Sequence, residues 1–249
     1  MRRKQWCRQY TAGEEVPKGQ CIACWVSIQR GALKRGVIIF DLFDTLMRVE
    51  TRTNQYALLS AFIERKKEES ERSEIKKEFK RVFLMGDTTT DIVDSLINKG
   101  FGLSEHTKKQ LASINEGVRY TMRSLVEKEV DSVQPFDDLE NCLELLSKEF
   151  DLLLLSNLAT PFKAPFINAG YDKHFKACIF SCDAMKAKPD KDIFEMALSH
   201  CSGFGKEKII MVGDKLLTDG VGAQSIGIHY FKSHGQPSFL KEFTQFMIP

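Results

Sequence analysis

Four short groups of residues in this chain could do chemistry together. They are Asp41-Leu42-Phe43-Asp44-Thr45, Ser156-Asn157, Lys188-Pro189, and Gly213-Asp214 with Asp219 following. A carboxylate can attack as a nucleophile or bind a hard cation. Asp41, Asp214 and Asp219 could therefore hold Mg²⁺, which takes a few carboxylates and completes its shell with water and substrate oxygens. Ser156 offers a hydroxyl and a backbone N–H to an anion, and Lys188 offers positive charge to a phosphate or to an attacking carboxylate. Carboxylates that form covalent intermediates are one established route to phosphoryl transfer. Taken singly, each group has a plainer use. An Asp after a strand commonly caps a helix, Ser-Asn is a turn dipeptide, and a Lys before Pro is commonly exposed. Their joint order, each after an apolar run, points to one site.

The surrounding pattern supplies the elements that must position them. Val37–Phe40 is a short apolar run ending at Asp41, as a buried parallel strand would be. Similar runs recur at Leu152–Leu155, Cys178–Phe180, Ile209–Val212 and near Ile226–Phe231. Helical patterns at Leu139–Lys148, Asp190–His200 and Leu216–Ser225 separate them. Such alternation predicts an α/β fold with a doubly wound parallel sheet, and such sheets bind ligands beyond the carboxyl ends of their strands. Residues from about 50 to 133 break the alternation. No strand pattern occurs there, and Tyr56–Lys67, Glu74–Phe83, Thr90–Lys99 and Glu105–Lys128 read as amphipathic helices. The expected organisation is a loosely ordered extension over 1–35, an α/β core from 36–49 plus 134–249, and a helical insertion over 50–133.

Val37–Met47 (VIIFDLFDTLM) resembles the first motif of the haloacid dehalogenase (HAD) superfamily, and Leu152–Asn157 (LLLLSN) its second. Lys188-Pro189-Asp190 with Ile193-Phe194 is similar to the third, and Ile209–Asp219 (IIMVGDKLLTD) with Gly222-Ala223 to the fourth. The resemblance spans about residues 36 to 235, and the insertion is similar to an α-helical (C1-type) cap. It implies a Rossmann-like core and a hydrolase, with Asp41 as nucleophile and Mg²⁺ ligand. The backbone carbonyl of Phe43 and the Asp214 carboxylate are the implied further ligands, with Asp219 beside them or one layer behind. Ser156, Asn157 and Lys188 are implied to hold the transferring group, and Thr45 to support the first loop and bind phosphate. The implied reaction is hydrolysis of a small phosphorylated metabolite through an aspartyl-phosphate.

The chain departs from that pattern at Phe43. Phosphatases of the superfamily carry a second aspartate two residues after the nucleophile, which protonates the leaving alcohol and later activates water. Asp44 comes one residue later. If the backbone is extended there, period-two alternation points its side chain away from that of Asp41, so Asp44 is expected to hydrogen-bond within the turn. Losing an acid–base group costs roughly 10²–10⁴-fold in turnover of an ester. The departure leaves three readings open: a phosphate with a good leaving group, a metal-independent reaction such as 2-haloacid dehalogenation or C–P cleavage, or a non-catalytic binding protein. Gly213-Asp214-Lys215 followed by Asp219 is the metal-binding form of the fourth motif, which favours Mg²⁺-dependent phosphoryl chemistry.

Composition bounds the rest. The 249 residues, 43% hydrophobic, suffice for a full core and a second small module. A net charge of +2 gives no reason to expect nucleic acid or a membrane surface as partner. A small phosphorylated substrate is the expected partner, with the chain a monomer or homodimer. The cysteines are Cys7, Cys21, Cys24, Cys142, Cys178, Cys182 and Cys201. Their odd number argues against a disulfide framework and for reduced thiols in a cytoplasmic protein. Cys21 and Cys24 form a C-x-x-C pair that, with Cys7, would make part of a zinc site, but no second pair follows at finger-like spacing. No apolar run approaches the ~18 residues of a membrane span, and Trp6–Gly19 is too polar for the core of a secretory signal.

Overall fold

The computed structural model describes residues 34–53, 69–84, 92–100 and 102–248. The expected helix at Tyr56–Lys67 and the Cys7, Cys21 and Cys24 group lie outside the described residues.

Five strands form one sheet: β1 (Val37–Phe40), β4 (Asp151–Ser156), β5 (Ala177–Phe180), β6 (Ile209–Gly213) and β7 (His229–Lys232). Their order is β5-β4-β1-β6-β7, and every pairing is parallel. In register, Phe40 lies opposite Leu154 on one side and Val212 on the other. All four residues of β1 are buried. Alternate side chains point to opposite faces, so each strand feeds two cores. Ile38, Phe40, Leu152, Leu154 and Val212 pack on one face. Leu143 and Leu146 of α5 (Leu139–Glu149) and Phe239 and Phe243 of α10 (Phe239–Met247) cover them. Val37, Ile39, Leu153 and Met211 pack on the other face under Ile193, Phe194 and Ala197 of α8 (Lys191–Ser199). A strand covered on both faces has no solvent side, which is why these segments read as continuous apolar runs.

The chain leaves the sheet through β2 (Met47–Val49) and returns through β3 (Val133–Pro135). These two pair antiparallel, with Met47 opposite Pro135 and Val49 opposite Val133. Between them lie α1 (Glu69–Leu84), α2 (Ile92–Lys99), α3 (Glu105–Ala112) and α4 (Glu116–Asp131). These helices bury a cluster of their own that includes Ile75, Val82, Val93, Leu96, Leu111, Ile114 and Met122. Val126 packs against both this cluster and the main core. The described helices match three of the expected segments, with one correction: Glu105–Lys128 is two helices. The break falls at Ser113-Ile114-Asn115, where Asn115 Oδ1 accepts from the Val118 N–H at 3.0 Å and starts the second helix. The ribbon of β2 and β3 gave no signal, because three residues containing Arg48, or Gln134 and Pro135, are too few to establish a period.

Shorter helices complete the molecule: α6 (Ala164–Asn168), α7 (Ser181–Ala184) and α9 (Val221–Ser225). The expected helix over Leu216–Ser225 opens as a π-type turn, Leu216–Gly220, before α9. The last strand begins at His229, three residues later than the apolar run, because Gly227 (φ +74°) still belongs to the preceding turn. Among the described residues, no helix is long and apolar enough to cross a membrane.

Candidate active site

Strand order brings distant residues together. Because β1 lies between β4 and β6, Asp41, Ser156 and Asp214 emerge side by side at the carboxyl end of the sheet. The Asp41 N–H donates to Val212 O at 2.8 Å, which carries the strand pairing one residue past β1. Ser156 Oγ donates to Asp41 Oδ1 at 2.9 Å. Lys188 Nζ lies 2.8 Å from Asp41 Oδ1 and 2.7 Å from Asp219 Oδ1. Both contacts to Asp41 fall on Oδ1, so Oδ2 is the oxygen left to attack or to meet a cation. Asp41, Ser156, Lys188 and Asp219 are all buried.

Lys188 is fixed through its backbone as well. Asn157 Oδ1 accepts from the Lys188 N–H at 2.8 Å, and Asn157 Nδ2 donates to Lys188 O at 2.9 Å. Asn157, expected to touch the transferring group, instead spends both polar ends of its amide on the lysine's own peptide groups. Lys186, two residues away, pairs with Asp192 at the surface and takes no part.

One carboxylate oxygen each from Asp41, Asp214 and Asp219 lies within 4.8 Å of the others. Three acids here face one buried lysine. Burial pushes the Asp214 carboxyl up from 3.8 to about 6, with Asp41 and Asp219 adding to the rise and Lys215 opposing it. Asp219 is raised for the same first reason, burial, against the pull of Lys188. For Lys188, burial disfavours the charge, but the two carboxylates outweigh it and hold the ammonium above its ordinary range. A cluster of hard oxygen donors short of positive charge fits Mg²⁺. Asp219 is the least free of the three: Oδ1 meets Lys188, and Oδ2 accepts from the Lys215 N–H at 3.0 Å. Gly213 makes this possible, since a Cβ there would sit 2.3 Å from Asp219 Oδ2.

The loop after β1 shows what stands near Asp41. Asp44 adopts the left-handed conformation (φ +59°) and donates its N–H to Met47 O at 2.7 Å. Its carbonyl accepts from Ser233 Oγ, and its carboxylate pairs with Arg52 at 2.8 Å. The acid is thus held in the turn, facing Arg52. Phe43 is partly buried, its ring edge-on to Phe162 with centroids 5.9 Å apart. Thr45 is fully buried, and its Oγ1 has no hydrogen-bond partner among the described residues. Arg48 pairs with Glu50.

Sequence reasoning missed the supports. Ser181 Oγ accepts from the Leu158 N–H at 3.0 Å and fixes the loop that follows Ser156-Asn157. Ser233 anchors the Asp44 turn from the end of β7. Neither serine lies in a motif, and only the sheet order brings them near.

Known proteins share this organisation. The profile of the haloacid dehalogenase-like hydrolases matches residues 36–227. Pyrimidine 5'-nucleotidase PynA of Streptococcus pneumoniae is 28% identical over 100 residues, which are 37% of this chain and 42% of that protein. The chain thus spans less than half the length of that relative. A haloacid dehalogenase-like hydrolase from Xanthomonas campestris superposes with a TM-score of 0.55 at 13% identity, covering 87% of this chain and 93% of that one. For a 2-haloacid dehalogenase from Pseudomonas syringae pv. Tomato the values are 0.51, 21%, 80% and 85%. For the magnesium-bound HAD hydrolase YfnB from Bacillus subtilis they are 0.50, 16%, 86% and 99%. The structural likenesses speak to the fold; the profile match over most of the sequence assigns the family, and the chain belongs to the haloacid dehalogenase-like hydrolases.

Proposed function

We propose that this chain is a Mg²⁺-dependent phosphatase that acts on a small phosphorylated molecule through phosphorylated Asp41. The observation that carries the reading is Asp41 itself. Ser156 and Lys188 hold one of its oxygens at 2.9 and 2.8 Å, while the Asp214 carboxylate approaches from the neighbouring strand. A nucleophile held in one orientation needs little further ordering to attack.

Lys188 has two tasks in this reading. It orients Asp41 before attack, and it balances negative charge as the phosphoryl group arrives. The unpartnered Thr45 hydroxyl is available to phosphoryl oxygens, Ser156 holds Asp41 through its own hydroxyl, and Asn157 acts through Lys188 rather than on substrate. Asp41, Asp214 and the carbonyl of Phe43 would hold Mg²⁺, with Asp219 behind them. Bound there, the ion supplies charge neutralisation to the transferring phosphoryl group. The helices between β2 and β3 serve as a cap that selects substrate and excludes bulk water. The partial match to a nucleotidase supports a phosphate ester or related phosphate as substrate class. Cys142, Cys178, Cys182 and Cys201 are unpaired, which supports a reducing, cytoplasmic setting.

The test is a phosphatase screen, acyl phosphates included, with Mg²⁺ and with EDTA, run beside Asp41→Asn. Phosphate release that needs Mg²⁺ and falls roughly 10³-fold or more in the variant is expected. Phe43 favours a second reading, metal-independent 2-haloacid dehalogenation or C–P cleavage, in which no alcohol needs protonating. Halide release that persists in EDTA would replace the phosphatase reading with the former. No Asp41-dependent turnover of any kind would leave a binding protein on this fold.

A further inference from the structure

We infer that no described residue of the site gives a proton to a departing group, and that the substrates are phosphates whose leaving group departs as a stable anion, acyl phosphates foremost. The inference rests on the phosphatase reading above and narrows its substrate class.

The described carboxyl and ammonium groups of the site are otherwise engaged, and the Thr45 hydroxyl, though unpartnered, is too weak an acid to serve. Asp41 attacks. Asp219 is fully buried, one oxygen on Lys188 and the other on the Lys215 N–H. Asp214 faces the cation position with Asp41. Lys188 sits between two carboxylates at 2.8 and 2.7 Å, and it is the charge that keeps them together. Ser156 already donates to the nucleophile. Asp44 pairs with Arg52 at 2.8 Å. The histidines have other partners: His106 bonds Gln110, His174 bonds Glu140, and His234 packs on Phe239 beside Glu242. His200 ends α8, and His229 begins β7 at the opposite end of the sheet from Asp41. Where an acid would be wanted, two residues past the nucleophile, Phe43 packs its ring against Phe162.

The chemistry balances without an acid only for some substrates. With an acyl phosphate, a bond forms between Asp41 Oδ2 and phosphorus while the bond from phosphorus to the acyl oxygen breaks. The electron pair leaves on a carboxylate, and no proton moves. With an alkyl phosphate the same step must expel an alkoxide, which no described group can protonate. Hydrolysis then restores the enzyme: water attacks phosphorus, the electron pair returns to the Asp41 carboxylate, and both water hydrogens depart with dihydrogen phosphate. No described base is free to take a proton from that water, so this second step is slow and phospho-Asp41 accumulates.

The experiment compares acetyl phosphate, p-nitrophenyl phosphate and a pyrimidine nucleoside 5'-monophosphate with the full chain in Mg²⁺. The expected kcat/KM falls by roughly 10²-fold or more from the acyl phosphate to the nucleotide, the range that one acid–base group supplies. Rapid quenching should show a burst of about one acetate per enzyme before steady state. Phe43→Asp should raise nucleotide turnover and narrow the gap by about tenfold or more. The wild-type slope and burst read the inference even if that variant fails to fold. Similar rates on all three substrates without a burst overturn the inference and leave the phosphatase reading standing. No Asp41-dependent phosphate release from any of them overturns both.

Discussion

Lys188 is the residue whose loss should disturb the most. Two carboxylates meet its ammonium, and Asn157 clasps its peptide groups. Lys188→Met would leave two buried acids without their counter-charge, a situation that typically costs about 3–5 kcal/mol. Urea denaturation in EDTA should read that loss, and added Mg²⁺ should recover part of it. Asn157→Ala removes no charge but strands a backbone N–H and a carbonyl. The expected cost is about 1–3 kcal/mol, with kcat falling more than KM rises, because the variant mispositions Lys188 without touching substrate. Asp214 makes a prediction about pH. Its carboxyl titrates near 6 in the fold against an ordinary 3.8, so between those values the folded chain binds more protons than the unfolded one. In EDTA this group therefore makes the fold less stable as pH rises from about 4 to 6. Thermal midpoints of Asp214→Asn should lack that part of the decline, and Mg²⁺ should offset it in the wild type. Asp214 and Asn157 were legible in the sequence because each follows a strand end, whereas Lys188, separated from β5 by α7, was legible through its Lys-Pro-Asp context. The role of Asn157 was not, because residue type does not say which acceptor an amide will meet.

At the scale of elements, the strands of the five-stranded sheet were the easiest to read and the two short strands outside it were the hardest. β1, β4 and β6 are apolar on both faces, so burial is written along nearly their whole length. β2 and β3 have three residues each and pair with one another, Met47 also bridging Phe43. The break between α3 and α4 was hidden because Ile114 is itself buried and keeps the apolar spacing running through the turn. Close approach of two elements yields a further prediction. β6 ends at Gly213, and the π-type turn that follows lays the Asp219 carboxylate against it. Gly213→Ala would place a methyl group 2.3 Å from Asp219 Oδ2 and drive that side chain off Lys188. Overpacking of this kind costs about 1–3 kcal/mol. Calorimetric titration with Mg²⁺ should show weaker binding by the variant, while circular dichroism stays that of the folded sheet.

Taken as a whole, the molecule is one three-layer core with a helical body inserted through a two-stranded stem. Val49 and Val133 face each other across that stem, so a two-residue Asn-Gly turn could join them as a hairpin. A chain in which Asn-Gly replaces residues 50–132 is expected to keep cooperative unfolding of the sheet. It should lose stability from the missing contacts of Val126 and Val130 with the main core. Its turnover of acetyl phosphate against larger acyl phosphates should become indiscriminate, which a substrate panel would read. The parallel sheet also sets an order of events during synthesis. β1 takes its neighbours from Asp151 onward and from Ile209 onward. Its second partner emerges from the ribosome roughly 170 residues later, on the order of ten to thirty seconds at typical translation speeds. Until β4 has emerged, roughly 110 residues after β1, this wholly apolar strand has neither neighbour, and until β6 emerges it has only one. Newly made copies are therefore expected to need shielding of that edge until β6 arrives, and the Asp41 N–H meets its acceptor, Val212 O, only then.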